Sequence, residues 1–302
     1  RKGRRRAMGR FTMENDRLAV TIDDLGAELV SVYDKKYKRE IIWQGDPTWW
    51  KRQAPILFPN VGKYYGDEYL YQGRHYVRDQ HGFARDYELE RMEESGNSVT
   101  HRFVSNEETR KVYPFDFELL ITHRLTGAEV EIQWQIKNTG DHEMYFTIGG
   151  HPGFNVPVLP GTAYSDYALK FADDQNELKY IHIDMATGTG LPDKVYTMPL
   201  ADHKYPLSKA LFDLDALVFD GGQIQKAGIE MPDGTDYVTV LCDDFPNFGI
   251  WAAPGAPFVC LEPWCGRCDN FGYEGELKDK PGINHLKEEE VFKKVYTIAI
   301  GG

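Results

Sequence analysis

Three short runs in this chain carry side chains able to move protons. They are Gln80-His81-Gly82-Phe83-Ala84-Arg85, Gly149-Gly150-His151-Pro152-Gly153-Phe154-Asn155, and Leu261-Glu262-Pro263-Trp264-Cys265-Gly266-Arg267-Cys268-Asp269. Each sets one ionisable group (His81, His151, Glu262) among Gly, Pro and aromatic residues. Gly and Pro fix sharp backbone geometry, and aromatic rings give flat apolar surfaces that suit the faces of a sugar ring. Two imidazoles and a carboxylate that meet in space can move protons in both directions near neutral pH. Glu262 follows an apolar strand, Pro257–Leu261, and Pro263 is expected to end that ladder. A carboxylate left there among Trp264, Phe258 and Trp251 would be partly desolvated, which raises its pKa and makes it a better base. The chemistry these groups suit is acid–base isomerisation.

In this order the signatures resemble the aldose 1-epimerase (galactose mutarotase) superfamily, and within it the LacX-like branch. The resemblance extends from Asn15-Asp16-Arg17-Leu18-Ala19-Val20-Thr21-Ile22 and Gly26-Ala27-Glu28-Leu29, through Phe58-Pro59-Asn60-Val61-Gly62-Lys63 and Asp215-Ala216-Leu217-Val218-Phe219, to Lys280-Pro281-Gly282-Ile283. It implies an enzyme that interconverts the α and β anomers of a free sugar. Glu262 would be the base on the anomeric hydroxyl, His151 the acid on the ring oxygen, and His81 a second imidazole at that oxygen. The same resemblance implies Asp215 and Lys63 as groups gripping other hydroxyls. Lys63 stands where relatives commonly have Arg, and lacks the bidentate fork of Arg. Arg85 is expected either to touch the sugar or to pair with an acidic residue. Trp264 and Phe154 are expected as apolar walls, with Asn155 beside them. No cofactor and no metal are implied.

Two alternatives remain open at this point. A hexose-6-phosphate mutarotase would add a cation cluster for the phosphate, for which Arg85, Lys63, Arg52 and Arg267 are candidates. A sugar-binding protein without catalysis is the other, since a fold alone does not establish activity.

Trp264-Cys265-Gly266-Arg267-Cys268 also has the form of a thioredoxin active site. That chemistry needs a βαβ setting and a helix N-terminus, which the surrounding strand-rich sequence does not offer. A zinc site would have to recruit Cys242 and Cys260, both in expected strands. The four cysteines are therefore read as free thiols in a reducing, cytoplasmic compartment. Of the other histidines, His123 falls in strand alternation and reads as a packed residue. His75, His101, His142, His182, His203 and His285 have neither flanking signatures nor metal-ligand spacing.

The elements that must carry these groups are strands. Val130, Ile132, Trp134 and Ile136 alternate with Glu129, Glu131, Gln133, Gln135 and Lys137, a half-buried strand. Residues 117–125 read as its hairpin partner across Thr126-Gly127-Ala128. Further strands are expected at 18–22, 28–33, 98–104, 144–148, 167–171, 216–219, 223–230, 236–242, 247–252, 258–262 and 292–299. Helical candidates are short, around 47–51 and 206–212. So many strands with so few helices predict an all-β fold, a single large antiparallel β-sandwich. The resemblance implies the same supersandwich, with the sugar site on its concave face.

The chain has 302 residues and a net charge of −12. An acidic body argues against nucleic acid as partner, and no apolar run of about 18 residues suggests a membrane span. The first ten residues differ, with six basic side chains and no acidic one, leaving 29 basic against 47 acidic residues in the rest. Residues 1–12 are expected to be a disordered basic extension, and residues 13–302 one sandwich domain acting as monomer or homodimer on a small-molecule sugar.

Overall fold

A computed structural model of the chain describes residues 9–301. Strands dominate. A nine-stranded antiparallel sheet runs, in spatial order, Lys204–Pro206, Ala168–Phe171, Lys226–Glu230, Asp236–Leu241, Val291–Ile300, Glu129–Asn138, Phe117–Thr126, Ser98–Val104, Glu90–Glu94. Its centre is the hairpin read from alternation: Phe117 pairs with Asn138 and Thr126 with Glu129, across Gly127-Ala128. Val130, Ile132, Trp134 and Ile136 are buried, as the period-2 pattern requires.

The second sheet, of six strands, carries the signatures. Leu217–Phe219, Asn247–Trp251, Phe258–Cys265, Ile148–Gly150 and Ile56–Leu57 lie side by side, and Gly153–Asn155 also pairs with Phe258–Cys265. The two sheets face each other. Ile121, His123, Ile132 and Trp134 of the large sheet border the same small cavity as Ile56 and Gly150 of the other, and one hydrophobic cluster joins both. A four-stranded sheet of Arg10–Glu14, Leu18–Asp23, Glu28–Asp34 and Arg39–Glu40 and four two-stranded ones complete the sheets of the described residues. This is the expected antiparallel β-sandwich.

Several details differ from the sequence reading. Pro263 does not end its strand: it pairs with Phe248, and the ladder continues to Cys265. Residues 144–148 divide between two pairings, Met144–Phe146 with Asn284–Leu286 and Ile148–Gly150 with the six-stranded sheet. Residues 47–49 form a turn and not a helix, whereas Lys209–Phe212 is one turn of 3-10 helix. A six-residue α-helix, Glu107–Val112, escaped the pattern because it is too short for helical periodicity. Asn106 starts it, its side chain accepting the N–H groups of Glu108 and Thr109. Most of the expected basic extension, residues 1–8, lies outside the described residues. Arg10, Phe11 and Thr12 do not belong to such an extension, because they pair with Asp23, Ile22 and Thr21.

Candidate active site

The ladder around strand Phe258–Cys265 explains how His151 reaches Glu262. Before the Gly150-His151-Pro152-Gly153 turn, Gly149 pairs with Trp264; after it, Gly153 pairs with Cys260. The chain thus touches the same strand on both sides of residue 262, and the turn between must pass over it. His151 Nε2 lies 3.2 Å from Glu262 Oε1, and both side chains are almost wholly buried.

His81 arrives by a different route. Residues 81 and 82 both have positive φ, 65° and 70°. Gly82 runs so close to Phe58–Pro59 that a Cβ would sit 2.2 Å from the Phe58 carbonyl oxygen, so only glycine fits. Gly62 donates its backbone N–H to His81 Nδ1 at 2.8 Å. A ring nitrogen that accepts from an N–H carries no proton itself, so the neutral imidazole bears its hydrogen on Nε2. The His81 ring centroid stands 5.5 Å from that of His151.

These three groups border one pocket of about 300 Å³. Trp264 supplies much of its floor. Its indole lies across the strands on either side of its own: a Cβ on Gly149 would come within 2.4 Å of the ring, and one on Gly249 within 2.3 Å. Trp50 and Trp251 enclose His151, with ring centroids 4.8 and 5.7 Å from the imidazole. Asp215, at φ 69°, also lines the pocket, one carboxylate oxygen accepting the Ala216 N–H at 2.7 Å. Arg85 lines it too; Nη2 donates to the Gln80 carbonyl at 2.9 Å, and its buried Nε has no partner.

Three expected contacts do not reach the pocket lining. The Lys63 side chain packs against Gly188 and its ammonium pairs with Asp67 at 3.4 Å. Phe154 is fully buried in the main core. Asn155 Nδ2 donates to the carbonyls of Glu40 and Ile42, joining the four-stranded sheet to the pocket sheet. Sequence reasoning missed Trp50, Gln80 and Cys268 as lining groups. The Trp49-Trp50 pair was the available signal for the first, obscured by the helical reading of that segment. Cys265 is buried within the main core, whereas Cys268 packs on Gly62.

Burial governs the ionisation here. It pushes the Glu262 carboxyl well above its ordinary value and the Asp215 charge adds to this, while the Trp264 indole N–H finds no hydrogen-bond partner among the described residues. Burial likewise lowers His151 to about 3, with Arg85 and Arg52 contributing. His81 is lowered well below its usual range by burial and then by His151. Arg85 is lowered to about 10 by burial and Arg52, so it remains a cation at neutral pH. Burial thus pushes both partners of the His151–Glu262 contact toward their neutral forms, a state in which the pair carries one titratable proton. Moving it across 3.2 Å converts carboxyl and imidazole into carboxylate and imidazolium, a base and an acid side by side.

One metal-like grouping occurs among the described residues: His151, Cys260 and Glu262 each offer a ligand atom, all within 4.8 Å of one another. Burial, and then the Glu262 charge, pushes the Cys260 thiol well above its ordinary value. A cation there would also occupy both members of the proton-sharing pair.

The aldose 1-epimerase family profile matches residues 9–297. The chain belongs to the aldose 1-epimerase family. It is 33% identical over 298 residues to the chromosomally encoded protein LacX of Lactococcus lactis subsp. lactis, a match covering 95% of this chain and 98% of that one. A galactose mutarotase related enzyme from Lactobacillus acidophilus superposes with a TM-score of 0.90 at 35% identity, covering 96% of this chain and 97% of the other. A galactose mutarotase-like protein from Lactobacillus casei ATCC 334 gives 0.88 at 31% identity, over 97% and 100% of the two chains. No helix among the described residues is long and apolar enough to cross a membrane.

Proposed function

We propose that this protein is an aldose 1-epimerase interconverting the α and β anomers of a free, unphosphorylated hexose. The observation that carries this reading is the 3.2 Å contact between His151 Nε2 and Glu262 Oε1 inside a pocket that also contains His81. The Glu262 carboxylate removes the proton from O1. The O1–H electrons form the C1=O1 double bond as the C1–O5 bond breaks, and its electron pair goes to O5, which takes a proton from the His151 imidazolium. His81 Nε2–H donates to O5 and steadies the charge developing there. Rotation about C1–C2 turns the aldehyde, and the steps reverse on its other face. Bound sugar favours the ionised pair, because O1–H donates to the carboxylate.

Trp264 and Trp50 offer apolar faces to the ring, while Asp215 and Arg85 supply an acceptor and a donor for the remaining hydroxyls. General acid and base groups of this kind contribute about 10²–10⁴-fold each.

The phosphorylated-sugar alternative needs converging cations, and three of its four candidates are engaged elsewhere. Arg267 Nε holds both oxygens of Asp220 at 2.9 and 3.0 Å, and its other nitrogens bond to Cys268 and Asn270. Arg52 pairs with Asp86 at 2.9 Å and Lys63 with Asp67. Arg85 alone borders the pocket, beside the carboxylates of Asp215 and Glu262. An NMR exchange assay across glucose, galactose and their 6-phosphates tests the proposal. Catalysed exchange of a free hexose in preference to its phosphate is expected. Sugar binding without exchange would assign a binding protein, and preference for a phosphate would overturn the substrate class.

A further inference from the structure

A second cavity, of about 430 Å³, lies beside the first. Gly62 and Cys268 face the candidate active site, while Tyr64, Tyr65 and Asp269 face this other space. The shared wall is tied together by the Asp269 N–H, which donates to the Lys63 carbonyl at 3.0 Å. The volume falls within the ~300–1,000 Å³ usual for small-molecule sites, and no step of anomer exchange uses it.

The cavity is built around a buried ion pair. Lys280 Nζ donates to Asp269 Oδ1 at 2.6 Å, each side chain being 3% exposed. The other oxygen of Asp269 accepts the Tyr65 N–H at 2.8 Å. An ammonium has three N–H donors, and among the described residues Asp269 is the one hydrogen-bond acceptor of the Lys280 ammonium, which also lies 5.1 Å from the Tyr64 ring centroid. Desolvating two charges offsets most of what their attraction contributes to stability, so folding alone gives little reason to keep this pair beside an open space.

The remaining walls suit a particular chemistry. Tyr65 and Tyr273 present partly exposed rings, backed by the almost wholly buried Tyr64 and Tyr69, and exposed Phe271 stands edge-on to Tyr65 with centroids 5.3 Å apart. Glu68 and Glu274 add acceptors. Three carboxylates against one ammonium and one imidazole (His75, 3.0 Å from Glu68) make the lining repellent to phosphate or carboxylate ligands. Aromatic planes for C–H faces, with donors and acceptors placed for hydroxyl groups, favour an uncharged polyhydroxylated ligand.

We infer that this cavity is a second, non-catalytic site for a neutral saccharide, whose ring faces lie on the tyrosines and whose hydroxyls bond to Lys280 and the rim glutamates. The site is held ready. Tyr69 Oη donates to the Val112 carbonyl at 2.7 Å and Tyr273 Oη to that of Glu276 at 2.6 Å. The Glu276 carboxylate accepts the N–H groups of Gln72 and Gly73 in the adjoining hairpin turn. Such preorganisation reduces the entropy lost on binding.

Methyl-labelled protein reads the two cavities separately, since Leu70 and Leu277 line this one and Val61 and Ile183 the other. Glucose, galactose, lactose and glucose 6-phosphate serve as probes in NMR titrations of the full chain. At least one neutral sugar is expected to shift the Leu70 and Leu277 methyls saturably, with no comparable response to the phosphate. Tyr65→Ala should weaken the Leu277 response about tenfold, on the scale of one lost aromatic face, while Val61 and Ile183 respond as before. Leu70→Trp, which fills the cavity without touching the ion pair, should abolish it. Silence of Leu70 and Leu277 toward all three neutral sugars, an equal response to the phosphate, or a Leu277 response unchanged in both variants would each overturn the inference. Val61 and Ile183 report the candidate active site independently, so failure there leaves this result readable.

Discussion

Gly62 donates its backbone N–H to Nδ1 of His81 at 2.8 Å, and this one hydrogen bond sets which ring nitrogen can serve the sugar. With Nδ1 occupied as an acceptor, Nε2 carries the hydrogen, and burial keeps the ring from taking a second proton. His81 is therefore a fixed donor and not a titrating acid, whereas His151 shares the mobile proton with Glu262.

His81→Gln should separate donation from titration. A glutamine amide places an N–H donor near the position of Nε2, whereas the shorter asparagine amide cannot. His81→Gln is expected to keep exchange within about tenfold of the parent, and His81→Asn to lose about 100-fold. Asparagine tolerates the positive φ at this position well, so thermal melts of the two variants show whether folding accounts for the difference. Equal losses in two well-folded variants would remove the donor role.

Glu262→Gln should lower exchange by at least about 100-fold while leaving sugar binding intact, since a general base is lost but the shape is kept. The parent's pH profile carries a further sign. The active pair holds one proton. Adding a second requires protonating buried His151, which is lowered to about 3, so activity persists well below the ordinary histidine range. Removing the shared proton requires ionising Glu262, whose carboxyl is raised well above its ordinary value, so loss comes on the alkaline side. These are macroscopic steps of the pair. Polarimetric kcat/KM showing an acid limb centred near 6.5 would mean that an ordinary histidine, and not the shared proton, governs the reaction.

Gly249 pairs with Glu262 across the ladder and lies beneath the Trp264 indole. Gly249→Ala would place a methyl 2.3 Å from that ring, so the indole must shift and take the pocket floor with it. Overpacking of this kind destabilises by about 1–3 kcal/mol. A raised KM for the free hexose is expected together with a lower Tm. A normal KM would indicate that the indole supports the fold but not the sugar.

Much of the fold was legible because alternation survives wherever one face of a strand is buried, as at Val130–Ile136. His81, His151 and Glu262 were legible because Gly and Pro around them signal backbone forced into special shapes. What escaped depends on which way neighbouring residues turn. Gly62 serves the pocket through its backbone, yet Lys63 beside it pairs with Asp67, and the motif Phe-Pro-Asn-Val-Gly-Lys does not encode that divergence. Phe154 and Asn155 follow His151 in sequence but lie in the ladder beyond its turn, committed to the core and to the carbonyls of Glu40 and Ile42. Trp50 reaches His151 from a local turn in which the Trp49 and Trp50 N–H groups donate to the Asp46 carbonyl, while the Trp50 carbonyl accepts the Trp43 indole N–H at 2.9 Å, a geometry that apolar alternation does not encode. Pro263 reads locally as a strand terminator, although it occupies a ladder position opposite Phe248.

The Trp-Cys-Gly-Arg-Cys run gives a contrasting expectation. All four cysteines are free and buried, and burial pushes the Cys265 thiol up to about 12 and raises Cys268 as well. A redox-active cysteine needs the opposite shift. The Cys265→Ser variant, which removes one thiol of the run from the core without touching the pocket lining, should therefore catalyse exchange at the parent rate, with a lower Tm from the buried hydroxyl. Disulfide reductase activity in the parent that disappears in this variant would restore the redox reading.

His123 offers a test of the fold independent of the pocket. It projects from strand Phe117–Thr126 into the interior, where its Nδ1 has no partner, and burial followed by His101 lowers it to about 3. A folded pKa below the unfolded value of about 6.5 means that the folded state binds the proton less readily. The stabilisation is therefore complete above about pH 6.5 and declines as the solution is acidified toward the folded pKa. At pH 4.5 the unfolded chain is favoured by about 2–3 kcal/mol from this group alone, at about 1.36 kcal/mol per unit below 6.5. His123→Phe removes the titration while keeping an aromatic ring of similar size. Chemical denaturation of parent and variant at pH 7 and pH 4.5 should show the parent losing more stability on acidification, by roughly that amount. Equal losses in the two proteins would show that the buried imidazole has no part in acid sensitivity, leaving it to other groups such as His101, which is also lowered by burial despite its 2.9 Å contact with Asp24.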